Sequence, residues 1–251
     1  MSQSNHVALV TGASRGLGAV IAKVLAWRGY ALVVGARDAP PLQDVAESLR
    51  EQGARVVTVE GDVTDGAVRA RLIDEARRLG GLHLLINNAS ELGRIGPFSK
   101  ADVVRFERLL QVNVVAPVAL IQLALPLLAE SGGLVVNISS DAARAAYPGW
   151  GAYGASKAAL ELLTRTLAGE LRDRGVSAVT VDPGDMRTRM HQDAFPGEDI
   201  SDRPLPEVTV PFWDWLFDQP PSEINGERFA AQQEDSRWLP FDSAQGKLQR
   251  A

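Results

Sequence analysis

Two residues in one predicted helix could carry out proton transfer. Tyr153 and Lys157 are four positions apart, and this separation places both side chains on the same face of an α-helix. A phenol titrates near ~10, which suits proton transfer at neutral pH poorly, whereas a nearby ammonium favours the phenolate and lowers that pKa. The pair could therefore act as an acid in one direction and a base in the other. Taken alone, the spacing is also that of an ordinary pair on a helix surface.

Polar residues stand where two predicted strands end. Ser139 and Ser140 close one apolar run, Asn87 and Asn88 close another, and Asn113 is isolated in an apolar helical stretch. Ligands bind at the carboxyl ends of the strands in open α/β sheets. Buried polar side chains also need partners, so these residues indicate either hydrogen bonding at the sheet end or a functional site.

The first predicted strand leads into a glycine-rich turn, residues 11–18, with the pattern Gly-x-x-x-Gly-x-Gly at Gly12, Gly16 and Gly18. Glycine lets the chain turn sharply and brings backbone N–H groups close to a phosphate. The N-terminus of the following helix adds a partial positive charge. The spacing differs from the Gly-x-Gly-x-x-Gly fingerprint, and a tight turn without a ligand is the alternative. The order strand, turn, helix favours a dinucleotide site.

The end of the second predicted strand bears on the choice between NAD and NADP. Ala36 occupies the strand end, where an enzyme that prefers NAD usually has an acid, and Arg37 follows it. Arg15 in the glycine turn is a second cation that could bind a ribose 2′-phosphate. Asp38 leaves two alternatives open, since it could accept from the 2′-hydroxyl of NAD or pair with Arg37. We expect NADP(H).

The remaining pattern predicts the elements that position these residues. Apolar runs at 6–11, 31–36, 55–60, 84–87, 134–139 and 176–181 alternate with helical stretches at 18–28, 41–52, 66–79, 101–130 and 153–174. The runs have apolar residues on successive positions, as strands buried on both faces do. We expect one α/β domain over 1–251, a Rossmann-like doubly wound parallel sheet of about seven strands with helices on both faces.

The regular alternation stops after Gly184. Residues 185–210 are rich in Pro, Asp, Arg and Met, which is too irregular for a core element and is typical of a functional loop. A short aromatic helix at 212–217 and a last strand at 227–231 are predicted beyond it. The polar residues 243–251 are expected to be frayed.

Composition excludes several classes of protein. The chain has 251 residues, a formal net charge of -5 with the two signs well mixed, and no cysteine. These features argue against a nucleic-acid footprint, a charged-membrane contact, disulfides and thiolate chemistry. The three histidines are scattered, so we expect no metal. The start of the chain lacks a signal-peptide pattern and the apolar stretch 112–129 is interrupted by polar residues and prolines, so we expect a soluble cytoplasmic protein.

Together these motifs resemble the short-chain dehydrogenase/reductase family, in its ordinary single-domain branch, over residues 7–188. The resemblance rests on the order and spacing of several short motifs, since each alone is weak. They are Thr11-Gly12-x-x-x-Gly16-x-Gly18, Asp62-Val63, Asn87-Asn88-Ala89, Asn113, Ser140 thirteen residues before the tyrosine, Tyr153-x-x-x-Lys157 and Pro183-Gly184-x-x-x-Thr188.

This resemblance implies hydride transfer between a nicotinamide cofactor and a carbonyl or alcohol carbon. Tyr153 would protonate or deprotonate the substrate oxygen and Ser140 would hold that oxygen. Lys157 would lower the pKa of Tyr153 and bind the nicotinamide ribose, and Asn113 would fix a water that links Lys157 to solvent. The implied cofactor-binding residues are Gly12, Ser14, Arg15, Gly16, Leu17, Gly18, Arg37, Asp62, Val63, Asn88, Ala89, Tyr153, Lys157, Pro183, Gly184 and Thr188.

The resemblance also implies partners. We expect a small-molecule carbonyl or alcohol substrate, closed over by the irregular segment 185–217, and a homodimer or homotetramer assembled through the helices 101–130 and 153–174. Three alternatives stay open: a non-catalytic NADP(H)-binding regulatory or scaffold protein, a dehydrogenase of the same fold that prefers NAD(H), and an epimerase or dehydratase that uses the cofactor internally.

The sequence departs from the family pattern at two places. Ser90 stands where the family usually has glycine, and we expect it to restrict the turn rather than alter the chemistry. The segment 224–229 resembles the start of the family's last strand and then diverges.

Several further side chains have both a structural and a functional interpretation. Trp150 could form a pocket wall or simply pack at the entry to the helix. His191 is expected to be a loop side chain rather than a base, and Glu91 and Arg94 are expected in a solvated loop. The aromatic residues of 212–217 are expected to pack in the fold or at a subunit contact.

Overall fold

A computed structural model describes residues 6–232, 241–242 and 247–248. Seven parallel strands form one sheet in the order β3-β2-β1-β4-β5-β6-β7. They are β1 Val7–Thr11, β2 Ala31–Ala36, β3 Val56–Glu60, β4 Leu84–Asn87, β5 Leu134–Ile138, β6 Ser177–Asp182 and β7 Arg228–Ala230. The predicted Rossmann-like doubly wound sheet is confirmed.

Helices cover both faces of this sheet. They are α1 Gly16–Trp27, α2 Ala39–Glu51, α3 Gly66–Leu79, α4 Val103–Leu110, α5 Ala116–Ser131, α6 Gly151–Glu170, α7 Arg189–Ala194 and α8 Val210–Leu216. Strand β1 shows why both faces need covering. Its Ala8 and Val10 join one buried apolar cluster with α1, α2 and α8, whereas Val7 and Leu9 join another with α3, α5 and α6.

The single helix predicted over 101–130 is divided. Asp102 caps α4, its Oδ1 accepting from the N–H groups of Val104 at 3.0 Å and Arg105 at 3.2 Å. A π-helical turn, Gln111–Val115, then joins α4 to α5. The sequence did not predict this turn, because the apolar periodicity runs through it. Such turns often occur at functional sites, and this one contains Asn113.

The combined helix Val103–Ser131 is long and apolar enough to cross a membrane by composition alone, with a mean hydropathy of 2.1 in its most apolar window. Half of that window is buried inside the protein. Residues such as Leu120, Ala124 and Leu128 are 0% exposed against the sheet. The helix is therefore packed as a core helix, as the sequence predicted for 112–129.

The segment predicted to be irregular, 185–210, contains regular structure. Thr188 caps α7 by accepting from His191 N–H at 3.2 Å, and a 3-10 turn spans Pro206–Thr209. The expectation of no regular element there was wrong, because a six-residue helix is too short to show periodicity. Most of the predicted frayed tail, 243–251, lies outside the described residues. Within it, Lys247–Leu248 pair antiparallel with Phe241–Asp242.

The aromatic helix α8 packs against α1 and β7. Phe212 and Trp213 are 0% exposed, Trp213 donates to Thr209 Oγ1 at 2.9 Å, and Phe212 contacts Phe229. Each such buried ring contributes about 1.5–3 kcal/mol of hydrophobic stabilisation. These aromatic residues thus pack in the core of the fold, which was expected from the sequence as the alternative to a subunit contact.

The strand order reverses between the neighbouring strands β1 and β4. In open α/β sheets a crevice forms at such a point, and ligands bind there. The glycine turn after β1 and the Asn87-Asn88-Ala89-Ser90 segment after β4 therefore face the same crevice.

Candidate active site

A cleft of about 1540 Å³ runs along the carboxyl edge of the sheet. At one end it is lined by the glycine turn and the end of β2, and at the other by Ser140, Tyr153 and Lys157. The segments that follow β4 and β6 line its middle. Residues predicted separately as phosphate-binding and acid–base groups therefore share one cavity.

Tyr153 and Lys157 lie side by side on α6 beneath this cleft. They are 8% and 2% exposed, and the Nζ of Lys157 is 5.6 Å from the centre of the Tyr153 ring. Lys157 donates to the carbonyl oxygen of Ile138 at 2.8 Å. Burial lowers the pKa of Lys157 to about 8, although the negative charge of Asp182 opposes this shift. The ammonium is thus fixed at the end of β5 and close to losing its proton.

The pKa of Tyr153 is raised above its ordinary value, opposite to the direction expected from the sequence. Burial is the largest cause and the charge of Asp182 adds to it, whereas hydrogen bonds with Ser140 and Ser90 act to lower the pKa. In the protein alone the phenol is therefore protonated at neutral pH, which suits it to donate a proton.

The two serines at the end of β5 have different roles. Ser139 is 2% exposed and donates to Glu161 Oε1 at 2.6 Å. Ser140 lines the cleft together with Tyr153, donates to Asp141 Oδ1 at 3.0 Å, and acts to lower the pKa of Tyr153. Only Ser140 is thus placed to hold an oxygen atom that reacts with Tyr153.

Asn113 is fully buried in the π-helical turn. Its Oδ1 accepts from Glu91 N–H at 2.8 Å and from Ser90 Oγ at 3.1 Å, and its Nδ2 donates to Glu91 O at 2.9 Å and Ser156 Oγ at 3.0 Å. Asn113 therefore joins the segment after β4 to the helix that carries Tyr153. The water predicted for it stays a prediction.

The glycine turn forms a cradle into which side chains would not fit. Gly12 has a φ of +67°, and a Cβ there would lie 2.9 Å from Ala89 Cα. Asn88 Nδ2 holds the turn by donating to Thr11 O at 2.9 Å and Gly12 O at 3.1 Å. The N-cap residue Arg15 makes no side-chain cap bond to α1. The first-turn N–H groups of α1 are thus left for a phosphate, so these residues fit a dinucleotide cofactor.

The cations predicted at the adenosine end are already paired. Arg15 forms an ion pair with Asp38, and Arg37 Nη1 lies 2.7 Å from Glu91 Oε1. Glu91 also lies 3.2 Å from Arg108, so two ion pairs hold this partly exposed side chain in the loop after β4. These pairs were not predictable from the sequence, because their members come from separate segments.

Asp62 and Val63, predicted at the adenine, both line the cleft. Asp62 accepts from Thr64 N and Thr64 Oγ1, both at 2.8 Å, and is paired with Arg108. Burial acts to raise the pKa of Asp62, but these bonds and the charge of Arg108 lower it overall. Asp62 is thus held as a carboxylate by Arg108 of α4, a residue that the sequence did not single out.

The remaining predicted cofactor residues also line the cleft: Ser14, Gly16, Leu17, Gly18, Ala89, Pro183, Gly184 and Thr188. Thr188 approaches the glycine turn, since a Cβ on Gly16 would lie 3.5 Å from its methyl group. Gly184 has a φ of +73°, and a Cβ there would lie 2.7 Å from Gln232 Nε2. The predicted site residues are therefore brought together, and their individual roles stay predictions.

A buried charge network that the sequence did not predict lies behind the site. Glu161, whose side chain is 8% exposed, accepts from Arg144 Nε at 3.1 Å and Arg228 Nε at 2.7 Å. Arg228 also binds Asp182 at 2.9 Å and the carbonyl oxygen of Ser140 at 3.3 Å. The network connects α6, β6 and β7 to the serine that meets Tyr153. In the sequence, the network could have been suspected only from two charged residues in apolar elements, Glu161 in a helix and Arg228 in a strand.

An aromatic wall rises beside Tyr153. The ring of Trp150 lies 5.9 Å from that of Tyr153, edge to face, and 5.9 Å from that of Phe195. Phe195 in turn lies 5.0 Å from His191, which lines the cleft and whose Nδ1 is 3.8 Å from Asp185 Oδ1. Among the described residues no group of three or more potential ligands could hold a metal ion.

Comparison with known proteins agrees with this geometry. The family model described as short chain dehydrogenase matches residues 6–199. The chain is 38% identical over 187 residues to an uncharacterized oxidoreductase, YIR035C, of Saccharomyces cerevisiae, covering 73% of this chain and 72% of that protein.

Two solved structures are also similar. One is a putative short chain dehydrogenase of Pseudomonas syringae, with a TM-score of 0.86, 32% identity and coverage of 92% of this chain and 96% of that one. The other is a putative short chain dehydrogenase of Shigella flexneri complexed with NADP, with a TM-score of 0.83, 31% identity and coverage of 91% and 97%. The resemblance noted in the sequence is confirmed: this chain belongs to the short-chain dehydrogenase/reductase family and is an NAD(P)-dependent oxidoreductase.

Proposed function

We propose that the protein is an NADP(H)-dependent reductase of carbonyl compounds, which can also run as an alcohol dehydrogenase. The observation that carries this proposal is that Tyr153, Ser140 and Lys157 line the same cleft as the glycine cradle. When bound, the nicotinamide cofactor supplies or accepts a hydride. The protein's own residues must then bind the substrate oxygen and move one proton.

Tyr153 provides that proton. In reduction its O–H bond breaks and a new O–H bond forms on the substrate oxygen, while Ser140 donates a hydrogen bond to the same oxygen. Because the pKa of Tyr153 is raised, the phenol is protonated before the reaction, as carbonyl reduction requires. Lys157, fixed by Ile138, holds a positive charge beside the phenolate that remains.

The preference for NADP(H) over NAD(H) is supported by the end of β2. Ala36 leaves no carboxylate at the strand end, and Arg15 and Arg37 both line the cleft beside it. Guanidinium groups bind phosphate through charge-assisted bonds. The related Shigella flexneri protein was crystallised with NADP.

The aromatic wall supports a substrate with an apolar body next to its carbonyl group. Trp150 and Phe195 present ring faces and edges within reach of Tyr153, and Met186 and Met190 also line the cleft. Apolar and aromatic linings favour ligands of the same character. We therefore propose ketones with an aromatic or alicyclic body, in preference to sugars.

The test is a panel of aromatic, alicyclic and sugar carbonyl compounds assayed with NADPH and with NADH. We expect oxidation of NADPH with the aromatic and alicyclic ketones, and tighter binding of NADPH than of NADH. Tyr153→Phe should lose at least 1000-fold in turnover while its NADPH affinity is unchanged. Unimpaired turnover in that variant would overturn the mechanism, and binding of NADPH with no turnover across the panel would favour the regulatory alternative.

We also propose that the protein forms a homo-oligomer through α4, α5 and α6. Apolar side chains on these helices are exposed, among them Val104 at 73%, Leu123 at 44% and Leu162 at 59%, and exposed apolar patches mark interfaces. Light scattering on wild type and on Leu162→Glu should show the variant shifted to a smaller species. The cytoplasmic location expected from the sequence stays a prediction.

A further inference from the structure

Besides Ser140, Ser90 is a second serine whose hydroxyl acts on the phenol of Tyr153. It follows β4 at the position where the family resemblance led us to expect glycine, and it lines the cleft. Its hydroxyl shares the cleft with Tyr153 and, like that of Ser140, acts to lower the pKa of that phenol. Its Oγ also lies 3.1 Å from Asn113 Oδ1. The hydroxyl is thus bound to one residue of the implied catalytic set and acts electrostatically on another.

The number of protons on these groups restricts what the Ser90 hydroxyl can do. A serine hydroxyl has one proton to donate and two lone pairs to accept with, and an amide oxygen only accepts. While Tyr153 is a phenol, Ser90 can donate to Asn113 and accept from Tyr153. Once Tyr153 has lost its proton, the phenolate can only accept, so a bond between it and Ser90 requires the serine proton.

Turning that proton costs Asn113 little. Its Oδ1 keeps the bond from Glu91 N–H at 2.8 Å, and its Nδ2 keeps bonds to Glu91 O and Ser156 Oγ. A buried acceptor that retains one donor avoids the full cost of an unsatisfied group. The bond gained in exchange is to a charged oxygen, and bonds of this kind are about twice as strong as neutral ones.

We propose that Ser90 is an additional catalytic residue, whose hydroxyl turns from Asn113 to Tyr153 and stabilises the phenolate formed during carbonyl reduction. In this step the O–H bond of Tyr153 breaks, the substrate oxygen takes the proton, and the carbonyl carbon takes the hydride. The O–H bond of Ser90 stays intact and changes only its acceptor. In alcohol oxidation the same bond holds the phenolate ready as the base. The proposal rests on the proposed function for the identity of the reaction.

The first test follows the ionisation of Tyr153 directly and needs no substrate. Tyrosine labelled with ¹³C at Cζ gives one signal for each of the three tyrosines, and Tyr153→Phe identifies the relevant one. The titration is run from pH 6 to 11 on the complex with NADP⁺ for wild type, Ser90→Ala, Ser90→Thr and Ser48→Ala. Ser48 is a hydroxyl residue that lines the cleft on α2, outside the contacts of Tyr153.

We expect the midpoint of Tyr153 to rise by about one pH unit in Ser90→Ala, which is a tenfold change in the phenolate population at a given pH. Ser90→Thr keeps the hydroxyl and should return the midpoint to that of wild type, and Ser48→Ala should leave it there. An unchanged midpoint in Ser90→Ala would overturn the proposal. A wild-type Tyr153 that does not ionise below pH 11 in this complex would also overturn it.

The second test is the pH profile of alcohol oxidation. In Ser90→Ala, kcat/KM should fall about tenfold at pH 7 and approach that of wild type above the midpoint of Tyr153. A purely structural role would lower kcat/KM by the same factor at every pH, and that outcome contradicts the proposal. If no substrate is found, the proposed function fails while the NMR titration still decides the role of Ser90.

Discussion

Asp38 forms an ion pair with Arg15 at the adenosine end of the cleft, where Arg15 is predicted to meet the cofactor. The pair joins the end of β2 to the glycine turn. The side chain of Asp38 is 58% exposed and that of Arg15 is 40% exposed, so solvent screens the ion pair strongly. In the proposed complex with NADP(H), Asp38 would compete with the 2′-phosphate for Arg15.

Asp38→Asn is expected to strengthen NADPH binding by roughly threefold, because Arg15 is released and a negative charge beside the phosphate is removed. Affinity for NADH should change little. Fluorescence titration with both cofactors at two salt concentrations measures this, and the gain should shrink at high salt. Arg15→Met is the matched variant and should weaken NADPH selectively. A large loss of NADH affinity in Asp38→Asn would show instead that Asp38 binds the 2′-hydroxyl.

Gly18→Ala is expected to disrupt the glycine cradle. An added Cβ would press against the carbonyl oxygen of Gly12 and the amide nitrogen of Asn88, closer than real Cβ contacts come, so the turn must shift. We expect NADPH affinity to fall at least tenfold and the free energy of unfolding to fall by about 1–3 kcal/mol.

Gly169→Ala is the control for that substitution. Gly169 lies within α6 with nothing within 4 Å of an added Cβ, so alanine there should stabilise the protein by about 0.5–1 kcal/mol. Isothermal titration and urea denaturation distinguish the two variants. Equal NADPH affinity in Gly18→Ala and wild type would show that the cradle does not bind the cofactor.

The sheet was predictable because each strand carries its own signal. Runs such as Ala31–Ala36 are apolar on successive positions, and burial on both faces follows from that pattern. The division of the long helix was not predictable in the same way. Asp102 sets the start of α4, and the π-helical turn around Asn113 leaves the apolar pattern unchanged.

In the site, the identities of Tyr153, Lys157 and Ser140 were readable from spacing, but their electrostatics were not. The direction of the pKa shift of Tyr153 depends on its burial and on Asp182, which lies 29 positions along the chain. The pairing of Glu161 with Arg228 likewise arises from packing of α6 against β6 and β7. Sequence patterns report local periodicity, so contacts between distant segments stay out of their reach.

Glu161→Gln is expected to destabilise the protein by about 3 kcal/mol at pH 7. The substitution removes a carboxylate that pairs with Arg144 and Arg228, and the 11% exposed Arg228 would keep only Asp182 as a carboxylate partner. Urea denaturation gives the difference. Glu170→Gln, at an exposed position of the same helix, is the control and should change stability by less than about 0.5 kcal/mol.

In acid, the difference in the free energy of unfolding between wild type and Glu161→Gln should disappear. Burial acts to raise the pKa of Glu161, but the bonds from Ser139 and Arg228 and the charge of Arg228 lower it below the ordinary value of 4.5. Its stabilising contribution is therefore present above pH 4.5 and is lost as the pH falls through the lower folded value. The unfolding free energies of wild type and Glu161→Gln should converge there. A gap that is constant with pH would mean that the charge of Glu161 is not what stabilises the network.

The buried Lys157 should make the free energy of unfolding increase with pH in the alkaline range. Its pKa is about 8 in the folded protein against an ordinary 10.5, so between these values the unfolded chain binds more protons and stability rises with pH. Relative to Lys157→Met, the free energy of unfolding of wild type should therefore rise by about 3 kcal/mol between pH 8 and 10.5. Urea denaturation at intervals across this range measures the difference.

Lys100→Met, at an exposed position, serves as the control. If the free energies of unfolding of wild type and Lys157→Met change in parallel with pH, Lys157 keeps its proton in the folded protein. If wild type gains as much stability relative to Lys100→Met as it does relative to Lys157→Met, the burial of Lys157 does not cause the increase.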